Sequence, residues 1–173
     1  VNKVITGTFD HVGEAMIYGD TDSCYFSAYP TLKGEIDAGN IPWDKDNVIT
    51  LYDQVCEAAN TTFPGFMLEA FHCPKSRSDV IAAAREIVAQ SGLYITKKRY
   101  AALVYDIEGF RSDTDGKPGK VKAMGLDLRR SDTPVFMQQF LSEILLMVLT
   151  DVPQEDILER ITVFRKEFDD RPG

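Results

Sequence analysis

Tyr18-Gly19-Asp20-Thr21-Asp22-Ser23 lies between two short strand-like runs, Glu14 to Ile17 before it and Cys24 to Ser27 after it. Glycine beside aspartate favours a tight turn, and the apolar and aromatic flanks predict a β-hairpin. Side chains of extended chain alternate between faces, so Asp20 and Asp22 can point the same way from the tip. Two carboxylates that close repel each other, and a divalent cation relieves the conflict. Mg²⁺ suits such a pair, because it takes a few hard oxygen ligands and fills its remaining positions with water and substrate phosphates. The plainer reading is turn chemistry alone, since Asp hydrogen-bonds its own backbone and tolerates turn dihedrals.

Working outward, 173 residues with 44% hydrophobic and 27% charged content predict a soluble globular chain of one domain, or one domain and part of another. No run of 18 apolar residues occurs and no charged-then-apolar leader opens the chain, so membrane and secretory readings lack support. Cys24, Cys56 and Cys73 are an odd number at unrelated spacings, which predicts reduced thiols and a cytoplasmic setting. His72-Cys73 is an isolated pair, and no zinc spacing accompanies it. The net charge of −8 argues by itself against nucleic acid. Its distribution argues otherwise. Basic residues bunch at Lys97-Lys98-Arg99 and again from Lys117 to Arg130, where Asp127 is the only acid, and a locally basic groove can track phosphates.

The remaining pattern is mixed. Val1 to Thr6, stopped by Gly7, predicts the last turn of a helix, as in a fragment of a longer polypeptide. Ser27 to Thr31 is expected to end the second hairpin strand, and Lys33 to Trp43 to form a loop. A helix is expected from Asp44 or Asn47, with Val48, Leu51, Tyr52, Val55, Ala59 and Phe63 on one face and Pro64-Gly65 bending or ending it. Asp79 to Tyr105 reads as two or three strands, although the alanines of Val80 to Ala89 would also suit a helix. Three cations from Lys97 to Arg99 inside a β-rich run fit either an edge strand guarded by lysines or a strand laid along a phosphate backbone. In the second case Tyr100 offers its ring and hydroxyl to a sugar or base edge. Gly109 to Gly119 predicts a polar turn, and Lys120 to Leu128 a strand. Thr133-Pro134 opens one amphipathic helix, and a second follows Asp151-Val-Pro153 as an αα-hairpin.

Taken in chain order, these stretches resemble the family B DNA polymerases. Tyr18 to Ser23 resembles motif C, the Y-G-D-T-D-S of the palm hairpin, in which Tyr18, Gly19, Thr21 and Ser23 complete the turn around the aspartates. Lys97 to Tyr100 resembles the K-K-R-Y motif that follows it. Lys122-Ala-Met-Gly125-Leu126, then Arg130-Ser-Asp-Thr-Pro134, resembles the K-x-M-G-L … S-x-T-P stretch where phage replicative enzymes pass from palm to thumb. The resemblance runs from about Val1 to Asp170. It implies an α+β fold, with an antiparallel palm sheet carrying the motif C hairpin and a packed helix over residues 1–130. A helical thumb base would follow over 131–173. It makes Val80 to Ala89 a strand.

The function so implied is part of a DNA-directed DNA polymerase, adding dNTPs to a primer 3′-OH through two Mg²⁺ ions. Asp20 and Asp22 would be the catalytic metal ligands, Asp22 bridging the ions. Glu86, preceded by Arg85, matches an acidic residue facing the metal site in the phage branch, though Ala84 stands where that branch often has a further Asp. A solvated surface acid is the alternative. Lys98 and Tyr100 would touch the primer near its 3′ end, with Lys97 and Arg99 in the same motif, and Lys122 would meet the primer further on. Arg129 and Arg130 would add phosphate contacts or face solvent. Ser27-Ala-Tyr-Pro30 imitates the S-L-Y-P of motif A, but Cys24 occupies the place of its aspartate. With motif A and the fingers absent the site is half built, so the chain alone is expected not to polymerise. Expected partners are primer–template DNA, dNTP and an N-terminal polymerase half carrying motif A, with no membrane. Exposed sheet edges could drive self-association. A split-polymerase subunit, in host cytoplasm if of phage origin, a truncated piece, and a non-catalytic remnant that still binds DNA all fit this pattern. A small acidic metal-binding module would leave the basic motifs unexplained.

Overall fold

Strand β1 (Met16–Gly19) pairs antiparallel with β2 (Cys24–Phe26), placing Tyr18 opposite Tyr25 and Gly19 opposite Cys24, so the expected hairpin closes around Asp20–Ser23. The computed structural model describes residues 15–78 and 80–170. The helix end expected over Val1 to Thr6, the start of the first strand at Glu14, and the end of the chain from Arg171 lie outside them. The chain forms two units, Val1–Glu86 and Ile87–Gly173, each described by itself below. Helices and antiparallel strands occur in both, an α+β composition. No helix among the described residues is long and apolar enough to cross a membrane.

In the first unit the loop expected after the hairpin is instead helix α1 (Tyr29–Asp37). Pro30 sits in its first turn, where a missing N–H costs nothing, and a Lys33–Asp37 ion pair at 2.7 Å joins successive turns. Helix α2 (Lys45–Phe71) starts at Asp44, whose Oδ1 accepts the N–H groups of Asp46 and Asn47 at 3.1 and 3.0 Å. Val48 and Ala59 are buried on its apolar stripe. Pro64 does not end it. The proline cannot donate to the carbonyl of Asn60, yet the helix runs on to His72, which closes it in the left-handed conformation at φ 50°.

The Asn60 side chain holds the segment that follows. Its Nδ2 donates to Ala83 O at 2.9 Å and its Oδ1 accepts from Ala83 N at 2.7 Å. Two residues on, Arg85 Nε donates to Asp53 Oδ1 at 2.6 Å. Val80 to Glu86 is thus tied to α2 and forms no strand, which corrects the strand expected from Val80; β3 begins only at Ile87.

The second unit is a four-stranded antiparallel sheet of β3 (Ile87–Thr96), β4 (Arg99–Ile107), β5 (Phe110–Arg111) and β6 (Lys120–Met124). β4 is central, with β3 on one side and β5 and β6 on the other. Every residue from Tyr100 to Asp106 is buried. Ala101 and Leu103 project to a core with Leu128, Leu145 and Leu149, the last two from helix α3 (Val135–Leu149). Full burial of one such leucine contributes about 1.5–3 kcal/mol. Helix α4 (Gln154–Asp169) stacks Phe164 on Phe140 of α3 at 3.6 Å between ring centroids. Because α3 packs on the sheet, the residues on both sides of position 130 lie within this unit.

Two boundaries here also move. β6 stops at Met124, because Gly125 turns left-handed at φ +64°, so the strand expected to reach Leu128 ends in a 3₁₀ turn at Asp127–Arg129. Thr133 does not cap α3. Its hydroxyl donates to Asp127 O at 2.9 Å, and Pro134 takes the cap position.

Candidate functional site

Two charged hairpin tips, one on each unit, carry Asp20 and Asp22 on the first and Lys97 and Lys98 on the second. At the acidic tip Asp20 N donates to Ser23 O at 2.9 Å, closing the turn. The Asp20 carboxylate is oriented locally. Oδ1 accepts from Thr21 N at 2.9 Å and from the Thr21 hydroxyl at 3.3 Å, and Oδ2 accepts from the Tyr18 hydroxyl at 3.3 Å. Asp22 is exposed. Two carboxylates within three residues of one tip are hard oxygen donors of the kind Mg²⁺ accepts, so the donor chemistry fits part of a Mg²⁺ shell. Among the described residues no three Asp, Glu, His or Cys side chains converge as a metal cluster, and Asp20 and Asp22 are not joined by Glu86. Glu86 lies on the tethered segment just before β3.

The basic tip is built differently. Thr96 pairs with Arg99, so Lys97 and Lys98 are the two turn residues between β3 and β4, and Lys98 is left-handed at φ 62°. The cations are thus gathered at an exposed tip instead of strung along a strand, which spares the sheet their repulsion. Arg99 is exposed and its Nε donates to Gly125 O at 3.2 Å. Gly125 is held close: a Cβ there would lie 2.2 Å from Lys98 O and 3.0 Å from Arg99 Cγ. Only glycine allows the end of β6 to cross the tip. The K-K-R-Y and K-x-M-G-L stretches, separate in sequence, are therefore one piece of geometry.

Tyr100 and Lys122 share the sheet face opposite the leucine core, because Tyr100 pairs with Met124 and Ala102 with Lys122. Lys122 is half-buried. Tyr100 does not present the open ring expected for a sugar or base: it is 4% exposed and stacks on Tyr94 across the strands at 5.7 Å. Burial, and then the neighbouring Tyr100, pushes the Tyr94 phenol up to about 12. On the other side of the tip, Arg99, Gly125, Leu126, Asp127 and Arg130 line an open recess of about 530 Å³. Arg130 is engaged there. It forms a two-pronged pair with Asp132 at 2.9 and 2.7 Å, which holds the Asp132 carboxyl below its usual range. Such an exposed pair is weak enough for a phosphate to displace it. Arg129 ends the 3₁₀ turn. The Asp132 partner and the close pass of Gly125 were not signalled by charge or periodicity; a glycine between apolar residues at a strand end was the only trace.

No protein-family model matches the chain. It is 29% identical over 162 residues to the DNA-directed DNA polymerase of Escherichia phage RB69, a match that takes in 87% of this chain and 17% of that polymerase. The chain thus spans about a sixth of its relative's length. It is a distant relative of a phage DNA-directed DNA polymerase.

Proposed function

We propose that this chain is part of a family B DNA-directed DNA polymerase, supplying motif C of the palm and the base of the thumb. The observation that carries this reading is an Asp-Thr-Asp tip on a β-hairpin, with Asp22 exposed, in a chain of which 87% aligns with a phage polymerase. Residues up to about 130 would belong to the palm and those after it to the thumb. Asp22, exposed at the tip, would hold Mg²⁺, and Asp20 would stand beside it with its carboxylate oriented by Thr21 and Tyr18. Bound Mg²⁺ would neutralise charge on the triphosphate and on the attacking 3′-oxygen. Lys97, Lys98 and Arg99 would track the primer–template backbone, and Lys122 would reach it from the sheet face. A second set of carboxylates, from a segment carrying motif A, would complete the site, so the substrates, dNTP and primer, are turned over only when both are present.

The test is primer extension with Mg²⁺, using this chain alone and then mixed with an upstream polymerase half carrying motif A. Extension is expected only in the mixture, and Asp22→Asn should lower it at least about a hundredfold. Extension by the chain alone would refute the half-built site. A second reading, a non-catalytic DNA-binding module, is favoured by the basic tip and the recess beside it. Retained DNA binding with no extension in either arm would select it.

A further inference from the structure

Two of the three unbridged thiols in the described chain occupy matching places on adjacent elements of the first unit. β2 lies against α2 through the Phe26 ring, 5.3 Å from that of Tyr52 and edge-on to it, and the Tyr52 hydroxyl accepts the Ala28 N–H at 3.4 Å. Cys24 stands two residues before Phe26, hence on the same face of the strand. Cys56 stands one turn after Tyr52, hence on the same face of the helix. Two strand residues span about 6.6 Å and four helical residues about 6 Å, so the step from Phe26 to Cys24 and that from Tyr52 to Cys56 are of similar length. Burial raises the Cys56 thiol above its ordinary value, Asp53 adds to the rise, Arg85 opposes it, and Cys24 adds the smallest share.

We propose that Cys24 and Cys56 form a reversible disulfide, a redox-sensitive brace tying the foot of the Asp20–Ser23 turn to α2. The division of labour follows from exposure. Cys24 is exposed and Cys56 half-buried, so Cys24 meets a solvent oxidant first and Cys56 resolves the product. With a low-molecular-weight disulfide as oxidant, the Cys24 thiolate attacks one of its sulfurs, the S–S bond breaks, and one small thiol leaves. The Cys56 thiolate then attacks the Cys24 sulfur, forming the Cys24–Cys56 bond and expelling the second small thiol. The two cysteines lose two electrons and two protons, and the small disulfide gains both. Cys24 pairs with Gly19 across the hairpin, so the bond would restrain the strand pair that presents Asp20 and Asp22. This pairing does not depend on the polymerase reading.

The test uses the full chain and a Cys73→Ser variant, each incubated with oxidised glutathione. Intact mass and a non-reducing peptide map are then taken before and after dithiothreitol. The expected result, in both proteins, is loss of two hydrogens and a peptide linking Cys24 to Cys56, both reversed by the reductant. Cys56→Ser, checked for fold by circular dichroism, should stop at a glutathione adduct on Cys24. A stable adduct on Cys24 in the unsubstituted chain would overturn the proposal. So would a link through Cys73 or between two chains.

Discussion

The acidic and basic hairpins are held by opposite means. The Asp20–Ser23 tip stands on two strands of four and three residues, with Ile17 52% exposed, and its carboxylate is oriented by bonds to its own neighbours. The Lys97–Lys98 tip stands on strands of ten and nine residues, one of them buried almost throughout, and is crossed by a distant glycine. A turn that builds itself from local chemistry can be recognised in sequence but contributes little tertiary rigidity. A turn placed by a core is rigid, and its placement depends on residues remote in the chain.

That contrast can be broken by substitution. Leu103 is fully buried at the centre of the basic hairpin's sheet, and Leu103→Ala should cost about 2–5 kcal/mol, read from a urea midpoint and from loss of amide protection along β4. No loss of β4 protection would mean that the core does not fix the tip. Gly125→Ala combines a left-handed residue with a clash against Lys98 O, and should cost about 2–4 kcal/mol. Gly116→Ala, also left-handed but in open space, should cost only about 1 kcal/mol. Equal losses for the two glycines would show that backbone conformation, and not the crossing, decides.

Smaller effects sharpen the local side. The Asn47 N–H, then the Asn47 side chain, hold the Asp44 carboxyl below its ordinary 3.8. A carboxylate depressed on folding stabilises above its unfolded value and loses that contribution as pH falls through the folded one, so the α2 cap should weaken below about pH 4. Asp44→Asn should keep neutral-pH stability and remove this acid dependence, while Asp44→Ala should lower the melting temperature at pH 7 as well. Lys98→Asn removes one charge at a position where Asn tolerates positive φ. It should shift stability by less than about 0.5 kcal/mol, and should reduce the salt slope of primer–template binding by about one. An unchanged slope would remove Lys98 from the DNA-binding set.

What could be read in advance follows the same division. The β1–β2 turn and the Asp44 cap were legible because the residues that make them are adjacent in the chain. The apolar stripe of α2 was legible because one face is buried at helical period. Helix α1 was not, since Ser27 to Thr31 read as a strand end and Gly34 as loop punctuation. Nor was the late start of β3, because the backbone of Ala83 before it is held by a side chain 23 residues earlier. At the candidate site the charged residues themselves were visible. Their grouping was not: Lys98 meets Gly125, and Arg130 meets Asp132, only through turns that the pattern does not specify.

The Asn60–Ala83 pair leads to an unequal tolerance of change. At position 83 only the main chain is gripped, so any residue with an amide hydrogen satisfies the bond and proline alone lacks the donor. At position 60 the grip needs a donor and an acceptor side by side on a short stem, which aspartate, serine or leucine cannot offer. The same two hydrogen bonds would thus let one site drift freely while fixing its partner, and a collection of natural variants should show Asn60 constant beside a variable residue 83.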